Sequence, residues 1–280
     1  MDWLAGGKIP IGRGIKLFVD FLNSYFGWLF NAISFVLGHA IDGAVDALQW
    51  LPAPVLIALI AALAWWLHRS WRLGAAIALG LLLIVNLGYW KETTETLALV
   101  VAATAISMAI GVPVGIAAAH RPRLYAALRP VLDMMQTIPT FVYLIPTLIL
   151  FGLGVVPGLI STIIFAVPAP IRLTQLAVSS VPGQLREAGE AFGATPRQLL
   201  WKVELPYALP TIMEGLTQTI MLSLSMVVIA ALVGADGLGK PVVRALNTVN
   251  IERGFEAGLA IVVVAIVLDR ICRRPTRRGG

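Results

Sequence analysis

Residues 184–210 read QLREAGEAFGATPRQLLWKVELPYALP, a polar segment between two long apolar runs. Gly193 is placed to end a first helix, because glycine readily adopts the left-handed conformation that follows a helix C-terminus. Thr195 is a candidate N-cap for a second helix, with Pro196 at its first position and Gln198 three residues after the cap. We call residues 184–210 the hairpin segment and predict that it forms a helix, a corner and another helix.

The second helix of the hairpin segment is predicted to be short. Pro206 is expected to end it, because the residue before a proline is disfavoured in the α-helical conformation. The segment carries too many charges to cross a bilayer, so we expect it at a membrane face. An ordinary ordered loop is the alternative, but the agreement between the cap signals favours a surface that docks another protein.

The composition places the chain among membrane proteins. Its 280 residues are 58% hydrophobic and 13% charged, whereas about a quarter of the residues of a soluble protein are charged. The net charge of +6 does not require a nucleic acid partner, because Lys and Arg cluster at the ends of apolar runs. The single cysteine, Cys272, excludes an intramolecular disulfide and a cysteine-based metal site. We predict an all-α, polytopic membrane protein.

Seven apolar runs approach the ~20 residues that a helix needs to cross the hydrocarbon core of a bilayer. They are residues 52–68, 73–90, 94–119, 138–155, 157–178, 211–233 and 255–271. Placing the hairpin segment in the cytoplasm puts fourteen of the 21 Lys and Arg residues inside. This bias predicts an N-terminus outside the cell and a cytoplasmic C-terminus, with a basic tail at residues 273–280.

Residues 1–50 form an aromatic-rich extension before the first of these runs. The polar residues of this extension fall on one helical stripe: Asp20, Asn23, Asn31, Ser34, Asp42 and Asp46. Such side chains are costly in the middle of a span, so we predict an amphipathic helix at the membrane interface. Residues 15–37 are also long enough to span, and that alternative stays open. Residues 51–91 then hold two peripheral spans, and residues 92–272 form the transmembrane core.

The run at residues 94–119 carries a small residue at every fourth position. Ser107, Gly111 and Gly115 belong to this stripe, which allows two helices to approach closely. The next two runs are interrupted by prolines, at Pro139, Pro146, Pro168 and Pro170. Broken helices line cavities in transporters, so these prolines favour a pathway; kinking for packing is the alternative.

The run at residues 211–233 carries Glu214 and Gln218 on one helical face. An acidic residue inside a span is a functional candidate, so this face is a candidate translocation path. Glu214 lies only four residues after Pro210, however, and a position among the lipid headgroups is the alternative reading.

Residues 234–240, GADGLGK, match most of a phosphate-binding P-loop. Pro241 stands where a Ser or Thr would ligate magnesium, and an apolar run precedes the loop where a strand is required. We therefore expect neither ATP nor any other cofactor or metal on this chain. Paired catalytic groups are also lacking, so the sequence does not predict an enzyme.

At the hairpin segment the sequence resembles the membrane subunits of binding-protein-dependent ABC importers. Their cytoplasmic loop carries Glu-Ala-Ala, then Gly, then an apolar residue and Pro at fixed spacing. The residues at those positions are Glu187, Ala188, Gly193, Val203 and Pro206. Gly189 departs from the third motif residue, usually Ala, and loosens the helix slightly. Residues 128–154, 192–206 and 224–239 look like the quaternary-amine branch, the glycine betaine/proline permeases.

This resemblance implies the type I ABC importer fold, with about seven transmembrane helices in a bacterial inner membrane. Two copies of the permease would form the pore, and residues 184–206 of each copy would be coupling helices docked on a cytoplasmic ATPase. The two ATPase subunits would bind ATP and magnesium, and an external binding protein would deliver the solute. The residues assigned to ATPase coupling are Glu187, Ala188, Gly189, Gly193, Ala194 and Pro206.

A glycine betaine or proline-type osmoprotectant is the substrate that the resemblance implies. Aromatic faces hold quaternary ammonium groups by cation–π attraction, so Phe141 and Tyr143 are path candidates, although aromatic residues in spans commonly serve packing. An ABC permease for choline, carnitine or an amino acid is an alternative, since the coupling segment would be the same. A secondary transporter or channel would require a buried charge relay, and the spans offer only Glu214 near an end.

Overall fold

The computed structural model describes residues 11–273, which form helices joined by short turns. In chain order the helices are α1 (Ile11–Trp50), α2 (Ala53–His68), α3 (Trp71–Asn86), α4 (Trp90–His120), α5 (Pro122–Thr137), α6 (Thr140–Phe151), α7 (Val155–Ala166), α8 (Pro168–Ser179), α9 (Gly183–Ala191), α10 (Pro196–Leu199), α11 (Leu205–Ala230), α12 (Gly239–Asn247) and α13 (Ile251–Cys272). A π-helical turn, Leu200–Glu204, joins α10 to α11, and a 3-10 turn, Ala231–Val233, follows α11. The described part contains no strand, so the all-α prediction is confirmed.

Several of these helices have the length and hydropathy of membrane spans. Within the described residues, four continuous segments qualify: Gly12–Trp50, Trp90–His120, Val155–Ser179 and Pro196–Val233. The helices α2 and α3 are apolar but have 16 residues each, or about 24 Å, against a hydrocarbon core of about 30 Å. Each of the seven apolar runs in the sequence falls on at least one helix, which confirms the polytopic fold.

The apolar run at residues 138–155 does not form one straight span. The helices α5 and α6 meet there at an angle of 96°, and the bend lies at Ile138 and Pro139. Ile138 has extended backbone angles (φ −65°, ψ 131°), which is the conformation that a following proline imposes. The run therefore begins at a corner, and α6 contributes only 12 residues to it.

The centre of the bundle is formed by α4, α7, α8 and α11, which pack against one another. On one side, α3 and α13 complete an apolar core with α4 and α11. Side chains from all four helices meet in this core, among them Leu81, Leu99, Leu224 and Val264. The other side of the bundle is covered by α1, which contacts α4, α6 and α7.

The first helix runs without a break for 40 residues. Of its side chains, Val19 and Ile41 are buried, and most of the others are exposed. The polar stripe predicted for this helix contributes a hydrogen bond to the bundle, from Ser34 Oγ to the Phe151 carbonyl at 3.3 Å. The helix has the length and hydropathy of a span; the interfacial position of residues 15–37 stays a prediction.

Parts of two predicted segments lie outside the described residues. They are residues 1–10 of the N-terminal extension and residues 274–280 of the basic tail. From that tail the structure describes Arg273, whose Nε lies 2.8 Å from Asp269 Oδ1.

Candidate coupling site and transport path

The first helix of the hairpin segment, α9, ends at a glycine turn. Gly193 has a φ of 76°, and its amide donates to the Glu190 carbonyl at 2.8 Å. The amide of Ala194 donates to the Gly189 carbonyl at 3.0 Å. These two bonds form a Schellman motif, which satisfies carbonyls at the helix end and requires the left-handed conformation of glycine.

A capping box begins the second helix. The amide of Gln198 donates to Thr195 Oγ1 at 3.3 Å, and the amide of Thr195 donates to Gln198 Oε1 at 2.8 Å. Pro196 occupies the first helical position, where its missing N–H costs nothing. The hairpin therefore has the corner that its cap residues predict.

The prediction that this second helix is short and ends at Pro206 is wrong. The chain stays helical from Pro196 to Val233, so the hairpin segment runs directly into the long helix α11. A π-helical turn at Leu200–Glu204 precedes the proline, and the amide of Leu205 donates to the Leu200 carbonyl. A proline has no N–H to donate, and its ring crowds the carbonyl four residues earlier; a wider turn relieves this crowding, so the helix continues past Pro206.

Gly189 allows the two helices of the hairpin to approach. A β-carbon at this position would lie 2.7 Å from Leu199 Cδ1 and 3.7 Å from Val203 Cγ2. The departure from the usual alanine of the importer motif is thus matched by the leucine that packs against it. The contact is with the mobile end of a side chain, so an alanine requires only a small shift.

The hairpin presents apolar and acidic side chains on its surface. Phe192, at the corner, is 93% exposed, and Trp201 is 62% exposed. Glu187, Ala188 and Pro206 are exposed as well, whereas Ala194 is half-buried. These exposed aromatic side chains make the hairpin a candidate contact surface for another protein.

A buried carboxylate ties the hairpin to the bundle. Glu204, at the end of the π-helical turn, is 2% exposed. Its Oε1 forms an ion pair with Arg186 Nε at 3.0 Å, and its Oε2 accepts a hydrogen bond from His120 Nε2 at 2.8 Å. Arg186 Nη2 also donates to the Val178 carbonyl at 2.6 Å, at the end of α8.

Sequence reasoning missed this cluster. His120 and Glu204 lie 84 positions apart, so no local spacing connects them. The sequence feature that could have indicated the cluster is Glu204 itself, because an acidic residue beside an apolar run is expected to pair with a basic or polar group.

Gly111 and Gly115 lie in the contact between α4 and α8. A β-carbon at Gly111 would stand 2.5 Å from Pro170 Cγ, and one at Gly115 would stand 2.6 Å from Thr174 Cβ. Ser107, on the same stripe, is fully buried. Close approach of this kind is what small residues at fourfold spacing permit between membrane helices.

The candidate path residues lie in two places. Glu214 and Gln218 are exposed on an outward face of α11, which also carries Met221 and Ser225. On α6, Phe141 is 56% exposed, whereas the hydroxyl of Tyr143 donates to the Met135 carbonyl at 2.6 Å. Tyr143 thus joins α6 to α5 across the bend, and its hydroxyl is occupied.

A charged cavity of about 600 Å³ lies at the end of the bundle opposite the hairpin segment. Its lining residues include Tyr89, Lys91, Glu92, Glu95, Asp236, Lys240, Arg244 and Arg253. Lys240 of the P-loop-like stretch pairs there with Asp236. Burial and the nearby Glu256 carboxylate raise the pKa of Tyr89. Among residues 11–273, no three His, Cys, Asp or Glu side chains form a group that would hold a metal.

Residues 111–278, which include the glycine contacts, the hairpin segment and the buried carboxylate, match the family described as "Binding-protein-dependent transport system inner membrane component". The chain belongs to this family. Its sequence is 47% identical over 266 residues to the Bacillus subtilis glycine betaine transport system permease protein OpuAB. The match covers 94% of this chain and 93% of that protein.

The Escherichia coli glycine betaine/proline betaine transport system permease protein ProW is 43% identical over 263 residues, covering 94% of this chain and 74% of ProW. The fold of this inner membrane component is also similar to a solved structure of the MetNI methionine ABC transporter in inward-facing conformations. The TM-score is 0.57 at 28% identity, over 64% of this chain and 91% of that chain.

Proposed function

We propose that this chain is the permease subunit of an ATP-driven importer for glycine betaine or a closely related quaternary amine. The observation that carries the proposal is the near full-length likeness to permeases named for glycine betaine. The similar fold of the MetNI methionine ABC transporter supports an ATP-driven transport mechanism. The solute would pass along the exposed polar face of α11.

The hairpin segment would be the docking surface for a separate cytoplasmic ATPase. Phe192, at the exposed corner, would enter an apolar groove of that subunit, as helix-in-groove contacts do. Glu187, Ala188, Gly189, Gly193, Ala194 and Pro206 would shape the surface around it. ATP and magnesium would bind to the ATPase, and the permease would bind neither.

Two copies of the permease, each with its own ATPase, would enclose the path. The face of α11 that carries Glu214, Gln218 and Ser225 is exposed in a single chain, although polar groups facing lipid are costly. A second copy related by two-fold symmetry would cover this face and leave a polar route between the two α11 helices. Phe141 would lie along the same route.

The hairpin segment would face the cytoplasm, with the N-terminus outside, in agreement with the positive-inside rule. The charged cavity and the helix α12 would then face outward, where a binding protein delivers the solute. The turn after α12 and the start of α13 expose apolar residues, including Val249 at 83% and Ile251 at 84%. These side chains suit a docking surface for that binding protein.

Another solute is the second candidate. The Listeria monocytogenes permease GbuB, 45% identical over 270 residues, is named for carnitine as well as glycine betaine. Because the coupling surface would be the same for any of these solutes, the test must vary the solute itself.

The proposal is tested by reconstituting the permease with its ATPase and its binding protein in proteoliposomes. Glycine betaine is expected to stimulate ATP hydrolysis and to accumulate in the lumen, while choline, carnitine and an uncharged sugar serve as comparisons. Uptake by the permease alone, down a gradient and without the ATPase, would instead indicate a channel. No stimulation by any quaternary amine would rule out the substrate class.

A further inference from the structure

We infer that Glu204, Arg186 and His120 act as a brace that carries movement of the hairpin segment into α4, α8 and α11. The inference rests on the proposed importer function, because it assigns positioning residues to the coupling step. The name brace refers below to these three side chains only.

The brace joins four segments at one end of the bundle. Arg186 lies on α9, Glu204 ends the π-helical turn that leads into α11, and His120 is the last residue of α4. The Nη2 of Arg186 reaches the Val178 carbonyl near the end of α8, where a cation is favoured by the helix dipole. A displacement of α9 therefore pulls on α4, α8 and the turn that leads into α11.

The brace lies where the backbone between the hairpin segment and α11 is easily bent. Between the hairpin and α11 the helix contains a π-helical turn followed by Pro206, and helices bend at such places because regular hydrogen bonds are missing. A push on the hairpin would be lost in this bend if nothing crossed it. Glu204 lies within this bend, and its two carboxylate oxygens are held by α9 and by α4, which fixes the bend to both helices.

Burial makes the brace stiff. Glu204 is 2% exposed, so water does not compete for its oxygens and the ion pair is only weakly screened. Arg186 and His120 are 33% and 45% exposed, so the penalty for an unpaired charge falls on Glu204. Removing Arg186 would leave the buried Glu204 carboxylate without that partner, whereas neutralising Glu204 and Arg186 together removes the penalty. This difference separates a coupling role from a purely structural one.

The test uses the complete complex of permease, ATPase and binding protein in nanodiscs. The variants are Glu204→Gln, Arg186→Gln and the double variant with both changes. We expect Arg186→Gln to melt at a lower temperature, and both single variants to lose the stimulation of ATP hydrolysis by solute-loaded binding protein. In the double variant we expect the melting temperature to recover and the stimulation to stay lost, with the ATPase still bound.

Arg123→Gln is the matched control. Arg123 is exposed near His120 and forms no ion pair among the described residues, so its variant should keep full stimulation. The brace is overturned if Glu204→Gln is stimulated like the unmodified complex, or if stimulation returns with stability in the double variant. An unmodified complex that no quaternary amine stimulates would overturn the importer proposal, and the brace with it.

Discussion

At the residue scale, Gly111 stands where α4 meets α8. A β-carbon there would lie 2.5 Å from Pro170 Cγ and 2.8 Å from Pro170 Cβ, and the proline ring cannot move aside as a flexible side chain does. We predict that Gly111→Ala separates the helices and destabilises the protein by about 1–3 kcal/mol. Thermal unfolding of the purified permease measures this change.

Gly258→Ala is the comparison for that experiment. Gly258 lies within α13, and a β-carbon there would meet nothing within 4 Å. Alanine favours the helix over glycine by up to about 1 kcal/mol, so the variant should melt at the same or a higher temperature. Equal melting of the two variants would show that the contact with Pro170 does not limit the packing.

Gly193 makes a different demand, because its space is open but its backbone is constrained. Its φ is 76°, with nothing within 4 Å of an added β-carbon. We predict that Gly193→Val distorts the corner of the hairpin and reduces the amount of ATPase that co-purifies with the permease. A branched residue is strained in this conformation by at least about 1–2 kcal/mol.

Gly193→Asn should retain most of the ATPase, since asparagine tolerates the left-handed region. If Val and Asn at this position behave alike, the left-handed turn is not what the ATPase requires.

These single residues also show which local features can be predicted from the sequence. Gly193, Thr195 and Gln198 act through partners within five positions, so local cap rules predict the corner. Pro206 misleads the same rules, because they assume an α-helix and the chain forms a π-helical turn before the proline. The roles of individual residues in ATPase coupling and in the path stay predictions.

At the scale of elements, α5 is held against α8 by an ion pair. Arg172 Nη2 donates to Asp133 Oδ1 at 2.6 Å, with the two side chains 33% and 53% exposed. Exposed pairs of this kind contribute at most about 1 kcal/mol. We therefore predict that Asp133→Asn lowers the melting temperature only slightly. A drop as large as that of Gly111→Ala would mean that the bend between α5 and α6 depends on this pair.

The helices themselves follow from apolar runs, but their breaks do not. Pro139 causes the corner locally, because it pushes Ile138 into an extended conformation, and the prolines of this run therefore predict an interruption. Local rules do not give its angle of 96° or the hydrogen bond from Tyr143 to the Met135 carbonyl across the bend. Likewise, the contact between His120 and Glu204 needs the whole bundle to bring two distant residues together.

At the scale of the whole molecule, the proposed two-fold assembly would cover the polar face of α11 with a second copy of the chain. We predict that Gln218→Cys, with Cys272→Ser as background, reacts with water-soluble thiol reagents and is cross-linked to its partner by a short bifunctional reagent. Gel mobility of the membrane fraction measures the cross-link. Leu224→Cys is the control, because Leu224 is 4% exposed inside a single chain.

Reaction of Gln218→Cys with lipid-soluble reagents alone, without a cross-linked pair, would place this face in the bilayer. The polar route between two copies would then be wrong, while membership of the transporter family would stand. Periodicity in the sequence predicts the face, but it does not predict how two copies would pack against each other.

The local bonding of the hairpin corner has a consequence for biosynthesis. Its hydrogen bonds span at most five positions, and such short-range structure forms within about microseconds, whereas ribosomes add roughly 5–20 residues per second. The corner can therefore be complete while α11, α12 and α13 are still being translated. If the proposed ATPase docks on the hairpin segment, it would meet a folded corner on the nascent chain, and assembly of the transporter would begin before its last helices are made.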